Sequence, residues 1–233
     1  MSFNQTMKTT AAVIAMIGAS SAFAANLPVS LASGTGVLTV SSSAQTNLGF
    51  GGITFGALSG STTSQSGSVL TQAETAAIAS ADNSALASVS FLGSGWVLKN
   101  SSLTITYSNI AADLTGKTIY ADVTDSLGTS NVALFNVASI SGSTAIPAGL
   151  TNGQTASFAN TMTGLTLTTT AATRIGTVAN AANLVGFLQS IDFGTFAVNT
   201  TVTAVPEPST YAMVGLGLIA VGAMARRGKQ ARV

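Results

Sequence analysis

Short runs in which apolar and polar residues alternate recur through the middle of the chain. The clearest are Leu103–Tyr107, Ile119–Val123 and Phe196–Val202, which are rich in β-branched and aromatic residues. This period of two is typical of half-buried antiparallel strands. Further candidate strands are Gly36–Val40, Phe50–Phe55, Ser88–Leu98, Asn131–Ser139 and Leu165–Thr169.

Turn and helix signals lie between these runs. The stretch "DVTDSLGTSNV" has the Asp, Ser and Gly residues of a hairpin connection. Thr71–Asn83 is rich in alanine, and Thr71 and Glu74 have the spacing of a capping box, which predicts a helix. Apolar residues at helical spacing predict a second helix over Thr177–Ser190. Ser59–Ser68 has low complexity and is predicted to be a mobile loop.

Many short strands separated by turns predict a mainly β fold. We expect an antiparallel β-sandwich or partly closed barrel with one or two short helices. Residues 25–205 are enough for one such domain. No repeat of fixed period is visible, which disfavours a β-helix or solenoid.

The N-terminal residues have the three-part order of a secretory signal peptide. Lys8 precedes an apolar run, and Ala22-Phe23-Ala24 follows as a cleavage pattern of small residues. The pattern predicts a signal peptide over residues 1–24, cleavage after Ala24 and passage through the Sec export machinery. The alternative is a short buried helix, since an apolar run of this length also fits one.

The C-terminal residues combine a rigid start, an apolar run and a basic end. Pro206 and Pro208 prevent a helix from continuing upstream. Tyr211–Ala225 carries no charge and would extend roughly 22 Å as a helix, whereas a hydrocarbon core is about 30 Å thick. The basic pair Arg226 and Arg227 predicts a cytoplasmic end. A short transmembrane helix that holds the chain transiently in the inner membrane is therefore expected, and a permanent anchor is the alternative.

This tail resembles a known sorting signal. Its order is Pro206-Glu207-Pro208, then the apolar run, then Arg226-Arg227. It is similar to the tail of the PEP-CTERM proteins, which are exported proteins of Gram-negative bacteria. Most of these bacteria make exopolysaccharide or biofilm. The resemblance covers residues 206–233. It implies recognition by an exosortase, a membrane-embedded enzyme that removes the tail.

Two phrases in the middle of the chain also resemble a known β domain. "LTITYSNIAADLTGKTIYADVT" and "VALFNVASI" are similar in cadence to the HtaA-like domain, which is associated with haem binding in other bacteria. From this resemblance we take the β architecture and not haem binding.

The composition excludes several classes of function. Between residues 25 and 205 only Lys99, Lys117 and Arg174 are basic, so no basic patch exists to bind nucleic acid. The chain contains no Cys and no His. It therefore has no disulfide, no zinc thiolate site, no cysteine nucleophile and no histidine base. We expect no cofactor and no metal.

Three features of the middle segment have a functional and a structural interpretation. Asp122 and Asp125 suggest a calcium site, or simply turn chemistry at the hairpin. Trp96 could stack on a sugar ring, or belong to the core. The threonines of Gly164–Thr173 could present hydroxyl groups to ice or polysaccharide, or form an ordinary solvent-facing strand.

The sequence thus predicts an exported protein of the cell envelope or extracellular matrix without catalytic activity. The alternative is a carbohydrate- or small-ligand-binding module of a biofilm matrix, and an enzyme is the third possibility. The six acidic residues of the middle segment make a glycosidase pair possible, but no pattern supports one. Serine has no histidine to activate it, which disfavours Ser-His-Asp chemistry. The expected partners are the exosortase, the Sec machinery, the inner membrane and an exopolysaccharide. The membrane-tethered precursor is expected to reach the cell surface or the medium.

Overall fold

The part of the chain described by a computed structural model, residues 27–205 and 213–219, is mostly β-structure, as predicted. The strands are β1 (Val29–Val40), β2 (Thr54–Ala57), β3 (Ser64–Ser66), β4 (Val69–Ala73), β5 (Ala76–Ala79), β6 (Leu86–Lys99), β7 (Thr104–Asp113), β8 (Thr118–Asp125), β9 (Gly128–Ser141), β10 (Thr155–Leu167) and β11 (Gly194–Ala204). The helices are α1 (Ser42–Phe50), α2 (Thr169–Val178) and α3 (Val185–Ser190), with a 3-10 turn at Ala182–Leu184. Residues 213–219 are helical.

The strands form one antiparallel sheet that closes almost completely into a barrel. Its order is β2-β6-β7-β8-β9-β10-β11-β1-β4-β3, and β5 pairs with β6. β4 pairs with β1, and β5, the next strand along the chain, pairs with β6. The continuous stretch β4–β5 therefore joins the two sides of the sheet, and this closure leaves few free strand edges.

The barrel interior is filled by aromatic side chains from several strands. Trp96 and Phe196 have ring centroids 6.2 Å apart, and Phe91 meets Phe196 edge to face at 5.5 Å. Gly36 on β1 faces these rings, and a Cβ there would lie 2.6 Å from Phe91 and 2.8 Å from Phe196. The close approach of two rings thus explains why β1 carries glycine in the middle of a strand.

All the helices of residues 27–205 lie at one end of the barrel. α1 follows β1, α2 follows β10, and α3 precedes β11, and these strand ends are neighbours because Val40 pairs with Gly194. Ser41 and Thr168 cap α1 and α2 by accepting hydrogen bonds from backbone amides one turn later. We call this the helical end.

The opposite end of the barrel is where residues 27–205 join the rest of the chain. Val29 pairs with Ala204, and the backbone N–H of Val205 donates to the carbonyl of Pro28 at 2.8 Å. The segments before residue 27 and after residue 205 therefore attach side by side. We call this the tether end.

The prediction of a helix over Thr71–Asn83 is wrong. The segment instead contributes β4 and β5. Leu70 and Gln72 are buried, alternating with more exposed neighbours, and Glu74 is buried too, so this face of the strand points into the barrel. Pairing with β1 and β6 satisfies the backbone, and this tertiary pairing overrides the local helix preference of the alanines.

The predicted strands are confirmed in β1, β6, β7, β8, β9 and β11, and the hairpin is confirmed between β8 and β9. The prediction for Phe50–Phe55 is wrong over its first half, because Phe50 ends α1 and β2 begins only at Thr54. β3 lies within the segment predicted to be a loop, Ser59–Ser68.

The helix predicted over Thr177–Ser190 is only partly correct. α2 ends at Val178, a 3-10 turn follows, and α3 begins at Val185. Asn180 has a φ of 52°, a left-handed conformation that ends the helix. Val178, Val185 and Leu188 nevertheless pack on the core as the helical spacing suggested.

The predicted signal peptide, residues 1–24, lies outside the described residues, as does most of the tail. Of residues 206–233 only the helical segment 213–219 is described. Across 27–205 and 213–219, no helix has both the length and the apolar character needed to cross a membrane.

An ion pair fixes α2 to the β8–β9 hairpin. Arg174 Nε lies 2.6 Å from Asp125 Oδ2, and the same guanidinium donates to the Gly128 carbonyl and to Ser130 Oγ. The Asp125 side chain is fully buried. Burial acts to raise the pKa of Asp125, but hydrogen bonds from Arg174 and from the Leu127 amide, with the Arg174 charge, hold it below its usual value.

We expect Arg174→Met to lower the free energy of unfolding by about 3 kcal/mol, because the Asp125 carboxylate would remain buried without its cation. The folded-state pKa of Asp125 is depressed, so the ion pair stabilises above pH 3.8 and is lost as the pH falls below that value. The difference in free energy of unfolding between variant and parent should therefore become smaller in acid. Urea unfolding at several pH values measures this difference. The control Lys99→Met removes a cation from an exposed position and should change stability by less than about 0.5 kcal/mol. An equal effect of both variants would contradict this account.

Candidate functional site

The stretch that closes the barrel changes partner at Glu74 and Thr75. The backbone N–H of Glu74 donates to the Gly34 carbonyl on β1 at 2.9 Å, and the next amide, of Thr75, donates to the Ser90 carbonyl on β6 at 2.7 Å. Two consecutive residues thus bond to opposite sides of the sheet. We call Glu74–Thr75 the junction.

The Glu74 side chain points into the barrel and is only 7 % exposed. Its Oε2 accepts a hydrogen bond from Thr200 Oγ1 on β11 at 2.7 Å. Gly34 makes room for this carboxyl, since a Cβ there would lie 2.0 Å from Glu74 Oε2. Burial raises the pKa of Glu74 to about 7, although the hydrogen bond from Thr200 acts to lower it. A carboxyl that is neutral in acid and about half ionised at pH 7 is therefore built into the closure of the barrel.

Other buried polar side chains lie in the same half of the interior. Gln72 and Asn160 are each 1 % exposed. The side-chain amide nitrogen and oxygen of each residue have no hydrogen-bond partner among the described residues, and the same is true of Glu74 Oε1. The interior beside the junction therefore contains several buried polar groups.

An opening lies at the helical end, between the two strands that end the sheet path. Within residues 27–205, β2 and β3 do not pair through their backbones, but the Ala57 amide donates to Gln65 Oε1 at 2.9 Å. The space beside this link has a volume of about 250 Å³, and we call it the mouth. Its lining residues are Val40, Gln45, Leu48, Ile53, Thr54, Phe55, Gln65, Gly67, Ser68 and Leu70.

A small apolar cavity lies directly behind the mouth. Its volume is about 20 Å³, and Leu48, Ile53 and Phe55 line both spaces and so form the wall between them. The remaining lining residues of the cavity are Leu98, Tyr107, Leu134, Phe135, Leu167, Ile175, Leu188 and Phe193. The described lining of both spaces contains no charged residue. Together they offer a neutral polar rim and an apolar interior.

Tyr107 is the one lining residue of the cavity that carries a hydroxyl group, and the lining itself is apolar. Burial raises the pKa of Tyr107 well above its usual value, the Asp125 charge raises it further, and Arg174 acts to lower it. The phenol therefore stays protonated at neutral pH and can donate a hydrogen bond.

A second, more open space crosses the outer face of three strands. The groove has a volume of about 430 Å³ and is lined on β1, β10 and β11 mainly by hydroxyl and amide side chains, among them Ser33, Thr35, Ser157, Asn199 and Thr201. Ser157 Oγ and Thr201 Oγ1 lie 2.9 Å apart and hydrogen-bond to each other. This surface is neutral and hydrophilic.

The two aspartates singled out from the sequence do not form one site. Asp122 accepts hydrogen bonds from the Asn109 and Asn131 side-chain amides, each at 2.9 Å, whereas Asp125 pairs with Arg174. Three positions apart on β8, they lie on opposite faces of the strand. The turn-chemistry interpretation is confirmed for Asp125, which accepts from the Leu127 amide at 2.8 Å. Among residues 27–205 and 213–219, no three acidic residues come together as a metal site.

Trp96 takes its structural interpretation, whereas the threonine run does so only over its first four residues. Trp96 is fully buried in the aromatic core, so it cannot stack on a sugar from solvent. The run Gly164–Thr173 is a strand only as far as Leu167, after which Thr168 caps α2. The prediction of a strand throughout Gly164–Thr173 is therefore wrong, because hydroxyl side chains also favour helix N-caps.

The residues predicted for export and sorting lie outside the described residues. They are Ala22, Ala24, Pro206, Glu207, Pro208, Arg226 and Arg227. The last strand, β11, ends at Ala204, two positions before Pro206. Residues 204–227 match the family model described as the PEP-CTERM protein-sorting motif. The tail of this chain is a PEP-CTERM motif. The resemblance seen in the sequence is thereby confirmed.

The PEP-CTERM motif carries its own functional implication. It implies an exported protein whose membrane-anchored precursor is processed by an exosortase. No curated protein matches the chain.

The barrel is similar to two solved structures from Corynebacterium glutamicum. The C-terminal domain of HtaA is 10% identical in sequence and has a TM-score of 0.50. The match covers 75% of this chain and 99% of the HtaA domain. The heme-binding protein HtaB has 14% identity, a TM-score of 0.44, and covers 76% of this chain and 96% of its own. At 10% identity the likeness to the HtaA domain shows a shared fold alone, so the β architecture expected from the HtaA-like resemblance is confirmed.

The sequence predicts neither the junction nor the mouth. Glu74 has the spacing of a helix-capping residue, whereas the alternation of Leu70, Gln72 and Glu74 is the signal that fits an inward strand face. No pattern in the sequence predicts the mouth, because most of its lining comes from α1, β2 and the β3–β4 hairpin, which meet only in the folded barrel.

The pH dependence of stability tests the buried carboxyl. The folded-state pKa of Glu74, about 7, lies above the usual 4.5, so the neutral carboxyl stabilises fully below pH 4.5 and this contribution is lost as the pH rises through 7. We expect the free energy of unfolding to fall by up to about 3 kcal/mol between pH 4.5 and 8. Glu74→Gln should remove most of this slope, as urea unfolding would measure. The control Asp192→Asn should keep it. A slope that is the same in Glu74→Gln and in the parent would contradict the assignment.

Proposed function

We propose that this chain is an exported, non-catalytic protein of the cell envelope or extracellular matrix whose tail is processed by an exosortase. The observation that carries the proposal is the PEP-CTERM motif at residues 204–227, which directly follows the last strand of the barrel. Export through the Sec machinery and a transient stay in the inner membrane complete the proposed route.

The position of the tether supports this route. Pro28 and Val205 are hydrogen-bonded neighbours at one end of the barrel, and the mouth lies at the other end. A precursor held by its tail would present the helical end away from the membrane. Removal of the tail would leave every strand of the barrel intact, because β11 ends before the PEP-CTERM proline pair.

The side chains of the barrel support a role without catalysis. The chain has no His and no Cys, so the commonest base and the strongest nucleophile are missing from its chemistry. Asp122 and Asp125 are engaged by amides and by Arg174, and Glu74 is buried. None of these three carboxyls is paired with another across a cleft, as glycoside hydrolysis requires.

A second function, the binding of a small ligand, is favoured by the mouth and the cavity behind it. Ligand sites are typically apolar recesses with a few polar groups at defined places, and barrels often carry them at one end. A space of about 250 Å³ that leads to an apolar wall fits this description. The outer groove on β1, β10 and β11 is a candidate contact for a neutral exopolysaccharide, although its open shape is less typical of a binding site.

The residues of this chain do not fit haem, the ligand in the name of HtaB. The chain offers no His and no Cys as an axial ligand. Tyr107 lies at the cavity, but its raised pKa disfavours the phenolate that would bind iron. No cation among the described lining residues of the mouth would pair with the haem carboxylates.

Tail processing is tested by the intact mass of the exported protein. In a Gram-negative host that carries an exosortase, we expect a product that lacks the signal peptide and the basic end of the tail. In a matched host without the exosortase, the tail should remain. Replacing Pro206 and Pro208 by alanine should block processing without affecting the barrel, which ends upstream. If residues through Val233 are retained in the first host, the sorting proposal is wrong.

A further inference from the structure

We propose that the mouth binds an uncharged amphiphile, a neutral polar headgroup on a single short alkyl chain. The proposal rests on the ligand-binding function proposed above and names the ligand class. It follows from the rim, the wall and the cover of this one site.

The rim of the mouth selects a neutral headgroup. Gln45, Thr54, Gln65 and Ser68 contribute amide and hydroxyl groups, which both donate and accept hydrogen bonds. Neither an acidic nor a basic side chain lines the described rim. A charged headgroup would leave water for this site without an opposite charge to replace its hydration, which is costly. Lys99 pairs with Thr54 across the strands but does not line the mouth, so its removal should leave binding unchanged.

The wall of the mouth selects an alkyl chain and limits its length. Leu48, Ile53 and Phe55 present apolar surface to the mouth and separate it from the cavity. Each methylene that leaves water for such a surface contributes about 0.8 kcal/mol. The cavity, at about 20 Å³, is only slightly larger than the 10–15 Å³ that one water needs, so it accepts no more than the end of a chain.

The cover of the mouth is weakly held and can admit a ligand. Helix α1 buries only Ala44 and Leu48, and Phe50 at its end is 86 % exposed. The β2 and β3 edges are joined here through the Gln65 side chain. Elements with few buried contacts open at low free-energy cost. Movement of α1 and of the Gln65 side chain would therefore widen the mouth and leave the barrel strands paired.

Trp96 provides a built-in reporter of this site. It is the single Trp of the chain, and its ring centroid lies 6.1 Å from that of Phe55. A ligand against Phe55 should shift the Trp96 emission, whereas a ligand in the outer groove should leave it unchanged.

The test titrates the exported protein, purified without detergent, with three probes below their micelle concentrations: monooctanoylglycerol, octanoate and octyltrimethylammonium. We expect saturable binding of monooctanoylglycerol, seen by calorimetry and by Trp96 emission, and at least tenfold weaker binding of both charged probes. Ser68→Phe should fill the mouth and weaken binding at least tenfold. The matched control Ser66→Phe, on the same hairpin but outside the lining, and Lys99→Met should each change it less than twofold.

If the Ser68→Phe variant does not fold, a second variant still tests whether the ligand binds at the mouth. Gln45→Arg places a cation at the exposed rim and should strengthen octanoate binding at least tenfold. Tighter binding of octanoate or of haemin to the unmodified protein, abolished by Ser68→Phe, would overturn the ligand class while leaving a ligand-binding function. Binding of no probe, with haemin included, would overturn both.

Discussion

The closure of the barrel depends on one short stretch of chain that pairs with both sides of the sheet. β4 bonds to β1, β5 bonds to β6, and the change of partner takes place between two adjacent amides, those of Glu74 and Thr75. Without this change of partner the sheet would have two long free edges, and exposed edges invite pairing with other chains. The junction also decides which side chains face inward, and so places Glu74 inside the barrel.

The two ends of the barrel have separate physical roles because of this closure. The tether end joins β1 and β11 and continues into the PEP-CTERM tail. The helical end collects α1, α2 and α3, and it is there that the sheet path stops at β2 and β3 without pairing. The mouth lies beside the gap between β2 and β3, the two strands that end the sheet path. Delivery and the proposed binding are therefore located at opposite ends of the same strands.

The sequence predicts the class of the fold and the tail well, for local reasons. Ile119–Val123 and Phe196–Val202 alternate because each strand has one buried face, and a period of two is visible without knowledge of the partners. The tail can be recognised from the sequence because the proline pair, the apolar run and the arginine pair follow one another directly in the chain. What the sequence does not show is long-range. Glu74 resembles a helix cap until β1 and β6 are placed on either side of it, and Gly34 and Gly36 have no evident purpose until a carboxyl and two phenyl rings are packed over them. The wall residues Leu48, Ile53 and Phe55 carry no pattern that distinguishes them from core.

We propose that the barrel acts as a ligand-binding body whose site lies at the end remote from its sorting tail. The most direct measurement is the change in backbone amide chemical shifts of the isotopically labelled, exported protein when monooctanoylglycerol is added. We predict changes confined to α1, β2 and the β3–β4 hairpin, around Leu48, Phe55 and Ser68, with the β10 and β11 surface unaffected. Changes centred instead on Ser157, Asn199 and Thr201, or spread evenly over the barrel, would contradict the account.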